Sequence, residues 1–224
     1  RLTENEMNYL KSQKFYPQEI KIATDAIAFI INKKNTDSII SVKDLQKILT
    51  GEIKTWNQLK PGSNLGNIQL VFDNPNSSTV RYAIDSICNG KPLSKELKAQ
   101  KTNSEVINYV ASTPNVIGVI GANWIGNKAD TTGLSFNESI TVMAVSNEDI
   151  ATVENSYKPY QAYIALRDYP LCRDIYAILN DPRRGLASGF VAFVNSYRGQ
   201  KIILKTGIVP ATQPVRIVNV NENL

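Results

Sequence analysis

The chain has 224 residues, 42% of them hydrophobic and 20% charged, an ordinary globular composition that excludes disorder and can bury a sizeable core as one large domain or two small ones. The 25 Lys and Arg against 20 Asp and Glu leave a formal charge of +5, a scattered excess too small for a nucleic-acid footprint. There is no histidine, which removes the commonest general base, the Ser-His-Asp and Cys-His arrangements and most zinc sites together, and no apolar run approaches the roughly 18–20 residues of a membrane-spanning helix.

Thr3-Glu4-Asn5-Glu6 is a capping box that opens a helix through about Gln13. Nothing before it resembles a secretory leader, and there is no initiator methionine, so the sequence reads as a chain from which an upstream stretch has been removed. Glu19 to Thr24 and Ala26 to Asn32 read as extended. Ser41 or Val42 to Leu49 is a short helix stopped by Gly51, and Ile68 to Phe72 a buried strand. After the loop Asp73-Asn74-Pro75-Asn76, a helix is predicted from about Ser78 to Ile87, with further helices at Ser94 to Lys101 and Ser104 to Ala111. Pro114-Asn115 then breaks the chain before a strand at Val116 to Ile120; Ser139 to Val145 and Ile175 to Leu179 are strands, and Leu186, Phe190, Val194 and Tyr197 mark the apolar stripe of one longer helix ending near Gly199 or soon after. The alternation is that of an α/β protein with mainly parallel pairing.

Several chemistry-bearing residues have plainer structural readings. Lys91, Lys95, Lys98 and Lys101 share helix-face spacing and read as a solvated surface in preference to a binding patch. Glu148/Asp149 and Glu4/Glu6 read as solvated carboxylates in preference to an acid–base pair, and Trp56 as packing, with Ile53 and Leu59, in preference to a ligand platform. Asp25, between two apolar strand halves, must either bond a backbone group or face a cleft. Cys88 and Cys172 have no metal or redox spacing; a long-range disulfide between them is left open. No cofactor cradle or metal set is present in the sequence pattern.

The segment that can carry chemistry is Phe72-Asp73-Asn74-Pro75-Asn76-Ser77-Ser78-Thr79-Val80-Arg81. A strand running into a polar loop whose hydroxyls start a helix gathers backbone N–H groups and side-chain donors at the positive end of the helix dipole, an anion cradle that needs no metal. Taken alone, the same residues serve equally as ordinary helix caps. Asn76-Ser77-Ser78 also spells a glycosylation sequon, discounted as chance.

The order of motifs resembles the phosphate-binding subunits of phosphate ABC importers. Ile22-Ala23-Thr24-Asp25-Ala26-Ile27-Ala28-Phe29-Ile30-Ile31-Asn32 is similar to that family's strand crossing between lobes, and Leu45 to Asn57 to its G-x-I-x-x-W-N helix segment. Leu70 to Thr79 falls at the phosphate loop, usually R-S-D-G-S-G-T; Thr113-Pro114-Asn115-Val116-Ile117-Gly118 is similar to T-P-G-A-I-G, and Tyr169-Pro170-Leu171-Cys172-Arg173 to the Y-P-L-S-R return strand. The resemblance implies an α/β, two-lobed periplasmic-binding-protein-like fold of type II. Residues 27–164 would form lobe 2, and residues 1–26 with 165–224 a first lobe that is incomplete, lacking the family's leading section. The two crossing segments would lie side by side as a hinge.

For function, the resemblance implies a non-enzymatic solute-binding protein, periplasmic or cell-surface and lipid-anchored through a removed segment. It would capture inorganic phosphate or a similar oxyanion for a membrane importer permease, with no cofactor, metal or nucleic acid. Its ligand residues would be Asp73, Asn76, Ser77, Ser78, Thr79 and Arg81. The alignment puts Asp73 where the family carries its anion-binding arginine, Pro75 at its aspartate, and Asn76 and Ser78 at its glycines. A carboxylate there repels a dianion unless it accepts a proton from the ligand, and Arg81, about one turn into the helix, is the candidate to balance charge. A binding-protein-like fold used for sensing or adhesion with no oxyanion bound, and a carboxylate-based hydrolase or transferase, are the competing classes.

Overall fold

The computed structural model describes residues 1–127, 130, 135–180 and 185–215. In chain order the elements are α1 (Glu4–Ser12), β1 (Gln18–Asn32), β2 (Ile39–Ser41), α2 (Val42–Thr50), α3 (Trp56–Leu59), β3 (Gln69–Phe72) and α4 (Ser78–Tyr82), which continues through a π-helical turn at Ala83–Ile87. They continue with β4 (Lys98–Ala99), α5 (Asn103–Ser112), β5 (Val116–Gly121), β6 (Ile140–Val142), β7 (Ala144–Ser146), β8 (Ser156–Tyr157), α6 (Gln161–Leu166), β9 (Cys172–Leu179), α7 (Leu186–Asn195), α8 (Tyr197–Lys205) and β10 (Val209–Pro210).

The chain divides into two compact units: Arg1–Asp25 with Arg173–Leu224, and Ala26–Cys172. Within the larger unit Tyr169 and Leu171 are buried, and Tyr169 donates its hydroxyl to the carbonyl of Ile27 at 2.6 Å.

The larger unit is built on a mixed sheet. The second half of β1 pairs antiparallel with β5, from Ile27 opposite Gly121 to Ile31 opposite Ile117, and on its other side with β6. β5 pairs parallel with β3, and β3 parallel with β4. The expectation of mainly parallel pairing is therefore corrected. β3, β4 and β5 follow one another through helical connections and run parallel, whereas β1 pairs antiparallel with β5, β6 and β10. Ala26 to Ile31 are wholly buried, the signature of a strand covered on both faces. Ala28 and Ile30 pack with Val71, Val106, Val110, Val116 and Ile120 into one cluster. Each large aliphatic buried there contributes roughly 1.5–3 kcal/mol. Gly118 stands where a Cβ would lie 2.8–2.9 Å from Ile30, Val110 and Val106, so the close approach of α5 to the sheet excludes any side chain at that position.

A small sheet of β2, β7 and β8 completes this unit. The strand expected from Ser139 to Val145 is two strands: β6 pairs with β1, and after Met143, whose N–H donates to Phe29, β7 pairs with β2. α2 ends at Gly51 as expected, because φ of +84° there is a left-handed cap that glycine takes without strain. The helix expected at Ser94 to Lys101 does not form. Its donors go elsewhere: Ser94 N–H to Leu49 at the end of α2, and Gln100 N–H to Phe72 as β4 extends the sheet. The lysine series is accordingly not a helix face; Lys98 reaches the Gln69 side chain and the Tyr109 hydroxyl.

In the smaller unit the first half of β1 pairs antiparallel with β10, and β9 also pairs with β1. The capping box at Thr3 and Glu6 forms as expected. The single helix expected from Leu186 is two, α7 and α8, because the hydroxyl of Ser196 accepts the N–H of Gly199 and starts a new helix. Gly199 is not a terminator but a close-packing point, with no room for a Cβ against the backbone of Phe193 and Val194. Leu186, Phe190 and Tyr197 of the expected stripe are exposed. Gln200, fully buried, ties the unit together: its amide donates to Ile22 and Val194 carbonyls at 3.0 Å and accepts from Thr212 N–H at 3.0 Å.

Candidate functional site

β3 ends at Phe72 and delivers Asp73 to the carboxyl edge of the parallel pair β3–β4, where loops of α/β sheets bind ligands. The loop is folded by its own polar groups. Asn76 N–H donates to the side chain of Asn74 at 2.8 Å and Ser77 N–H to the Asn74 carbonyl at 3.1 Å. Ser77 is the N-cap of α4, its hydroxyl oxygen accepting from Val80 N–H at 3.3 Å. That hydroxyl keeps its own proton to donate, so capping and anion binding are compatible roles. Thr79 is buried, while Asn76 and Ser78 lie at the exposed turn.

Arg81 sits one turn on, exposed, with its guanidinium 3.5 Å from the carboxylate of Asp85. Asp73 is tied to the start of α5, where Asn103 Nδ2 donates to its Oδ2 at 3.5 Å. The sequence reading missed Asn103, since it began that helix at Ser104. The signal available was Thr102, whose hydroxyl accepts from Glu105 N–H and places Asn103 as the first helical residue. The remaining oxygens, Oδ1 of Asp73 and Oδ1 of Asn103, are both withdrawn from solvent and accept no hydrogen bond from the protein.

The other singled-out residues have structural partners. Trp56 is fully buried and donates its indole N–H to the Asn115 carbonyl at 3.1 Å, the packing role expected for it. Asp25 is paired with Arg173 at 2.9 Å. Asp149 is an exposed partner of Lys43, and Glu6 closes its capping box. Cys88 and Cys172 are not joined to each other, so the disulfide left open by the sequence is not formed. Burial pushes the Cys88 thiol up to about 11, while Cys172 lies 3.0 Å from the carbonyl of Tyr169. Among the described residues no group of three acidic, Cys or His side chains could hold a metal ion, and no helix is long and apolar enough to cross a membrane.

A search of curated proteins finds the chain 27% identical over 202 residues to the phosphate-binding protein PstS of Borreliella burgdorferi, covering 86% of this chain and 65% of that protein. The phosphate-binding protein PstS of Bacillus subtilis is 24% identical over 197 residues, covering 86% and 57%. The chain thus spans about two thirds or less of the length of these relatives. Among solved structures, an ABC-type phosphate transport receptor from Vibrio cholerae superposes with a TM-score of 0.71 at 21% identity, covering 93% of this chain and 76% of that one. PstS from Borrelia burgdorferi does so with 0.65 at 23% identity, covering 94% and 76%. At such identities the superpositions speak for the two-lobed binding-protein fold alone. A family profile described as PBP superfamily domain matches residues 1–198, and the chain belongs to that family.

Proposed function

We propose that the chain belongs to a solute-binding protein that captures phosphate, outside the cytoplasmic membrane, and delivers it to an ABC importer permease. The observation that carries this reading is the hydroxyl-rich start of α4 at the carboxyl edge of a parallel strand pair, in a chain whose curated relatives carry the name phosphate-binding protein. Ser77, Ser78 and Thr79 would hold the oxyanion through hydroxyls and N–H groups, with Asn76 at the turn. Asp73 would admit a protonated ligand, and Arg81, once released from Asp85, would balance charge. Capture and release need no catalytic group, which suits a chain without histidine. Anchoring to lipid at the cell surface belongs to the same proposal.

Titration calorimetry with phosphate and sulfate on the full-length, ligand-stripped protein tests it. Phosphate should bind, and Ser77→Ala or Thr79→Ala should each weaken binding about 10- to 150-fold, the equivalent of roughly 1.5–3 kcal/mol for a hydrogen bond to a charged group. Asp73→Arg should strengthen phosphate binding if the carboxylate only repels, and admit sulfate if it reads a proton. Silence toward both anions in the wild type and in Asp73→Arg would favour a sensing or adhesion role, for which the carboxylate in place of the family's arginine is the supporting observation.

A further inference from the structure

We propose that the loop between β7 and β8 is a docking surface for a cationic face of the importer permease, with Ile150 and Val153 as its apolar anchors and Glu148 and Glu154 as its charged rim. The inference rests on the reading of this protein as the capture component of an ABC importer. β7 and β8 pair antiparallel, Ser146 opposite Ser156, and the nine residues between them form the hairpin loop Asn147 to Asn155. Ile150 and Val153 are 77% and 75% exposed, more than any other large hydrophobic side chain among the described residues of the larger unit. Leaving two aliphatic side chains in water forgoes burial that a partner can supply, and their place on one turn makes them a joint patch in contrast to singly scattered surface residues.

The loop is pinned by its own polar groups. Glu148 N–H donates to the Ser146 hydroxyl at 3.1 Å, Thr152 N–H to the Asn155 side chain at 2.8 Å, and the Asn155 amide to the Ile150 carbonyl at 3.0 Å. The two anchors therefore need little ordering on contact, which lowers the entropic cost of docking. Charge decides the kind of partner. The loop carries Glu148, Asp149 and Glu154 and no basic residue, in a chain whose formal charge is +5. Asp149 is matched by Lys43 at 2.7 Å, and Asp44 and Asp37 of the adjoining groove by Lys47 and Lys60, whereas Glu148 and Glu154 enter no ion pair among the described residues. Hydrogen bonds from its own backbone and from Thr152 hold the Glu154 carboxyl below its ordinary pKa, favouring the charged form. An anionic lipid surface or a nucleic acid would be repelled; a protein face presenting lysine or arginine around an apolar socket fits. A contact of two anchors with a charged rim is small, which suits a capture component that must dock quickly and leave again.

The test is ATP hydrolysis by the protein's own importer, reconstituted in lipid nanodiscs and stimulated by the full-length, phosphate-loaded protein. Ile150→Ser/Val153→Ser should raise the half-maximal stimulating concentration about 10-fold or more, and Glu148→Gln/Glu154→Gln should raise it less and remove most of its dependence on ionic strength. Unfolding midpoints establish that both double variants are folded, and calorimetry with inorganic phosphate should show wild-type affinity in each. Stimulation by Ile150→Ser/Val153→Ser equal to that of wild type would overturn the inference, and a loss confined to that variant would overturn the cationic character of the partner. A concentration-dependent wild-type dimer that Ile150→Ser/Val153→Ser abolishes would assign the loop to self-association instead. In each of these cases phosphate binding stays intact. A wild type that binds phosphate without stimulating the importer overturns the delivery reading and the inference with it, and one that binds no phosphate overturns the proposed function itself.

Discussion

The carboxylate of Asp25 lies 2.9 Å from the guanidinium of Arg173, with side-chain exposures of only 6% and 22%. Residues next to each are bound in turn: Thr24 donates its hydroxyl to Asp174 at 2.8 Å, and Ile27 N–H donates to Leu171 at 3.0 Å. The side-by-side placement of the two crossing segments expected from the sequence is therefore fixed by side chains as well as by the ladder between β1 and β9.

Removing one member of this pair strands the other. Arg173→Met should cost about 3 kcal/mol, the lower end of the range for breaking a buried ion pair because Arg173 retains some contact with water. Asp25→Asn/Arg173→Met should recover part of that loss, since no unpaired charge remains. Urea unfolding of the single and double variants checks both outcomes; a double variant less stable than Arg173→Met would contradict the account.

Tyr169 is completely buried, and desolvation raises its phenol well above the ordinary value, so the hydroxyl is a neutral donor, held by the Ile27 carbonyl at 2.6 Å. Tyr169→Phe should destabilise by about 1–2 kcal/mol, the cost of leaving that carbonyl short of a partner. Thermal unfolding and hydrogen exchange at the start of the buried half of β1 read the effect.

Asn32 donates to the carbonyls of both Val110 and Ala111, closing the C-terminal end of α5 from within the core. Asn32→Leu, close in volume, should cost about 2–4 kcal/mol because two acceptors lose their donor at once. A loss smaller than that of Tyr169→Phe in the same urea titration would show that the α5 end finds other partners.

Cys88 provides a pH signature. Its folded-state value of about 11 lies above the ordinary 9, so the folded protein keeps a proton that the unfolded chain gives up. Its contribution is intact below pH 9 and is lost as pH rises toward 11. Subtracting the unfolding free energy of Cys88→Ala from that of wild type across pH 8–11 should give a difference that declines over that window. Thiol titration should count two free cysteines in denaturant, with Cys88 slow to react in the native state.

What was legible in the sequence are features whose physics is local or whose burial is total. Thr3 and Glu6 satisfy each other's helix-end groups across one turn, and Ser77 caps α4 with the next turn's N–H, so both follow from neighbours in the chain. β1 and β5 were readable because strands buried on both faces spell continuous apolar runs. What only the tertiary structure decided are the elements whose donors are satisfied from afar. Lys98–Ala99 became a strand because Phe72 offered a free ladder edge, and the strand after Ser139 split because β1 and β2 each claimed half of it. At the site the chain dictated the hydroxyls at the start of α4, whereas the partner of Asp73 stands 30 residues away and that of Asp25 148 away. Such pairings are fixed by which strands become neighbours in the sheet, a choice made by the packing of the whole core and not by any residue's immediate sequence.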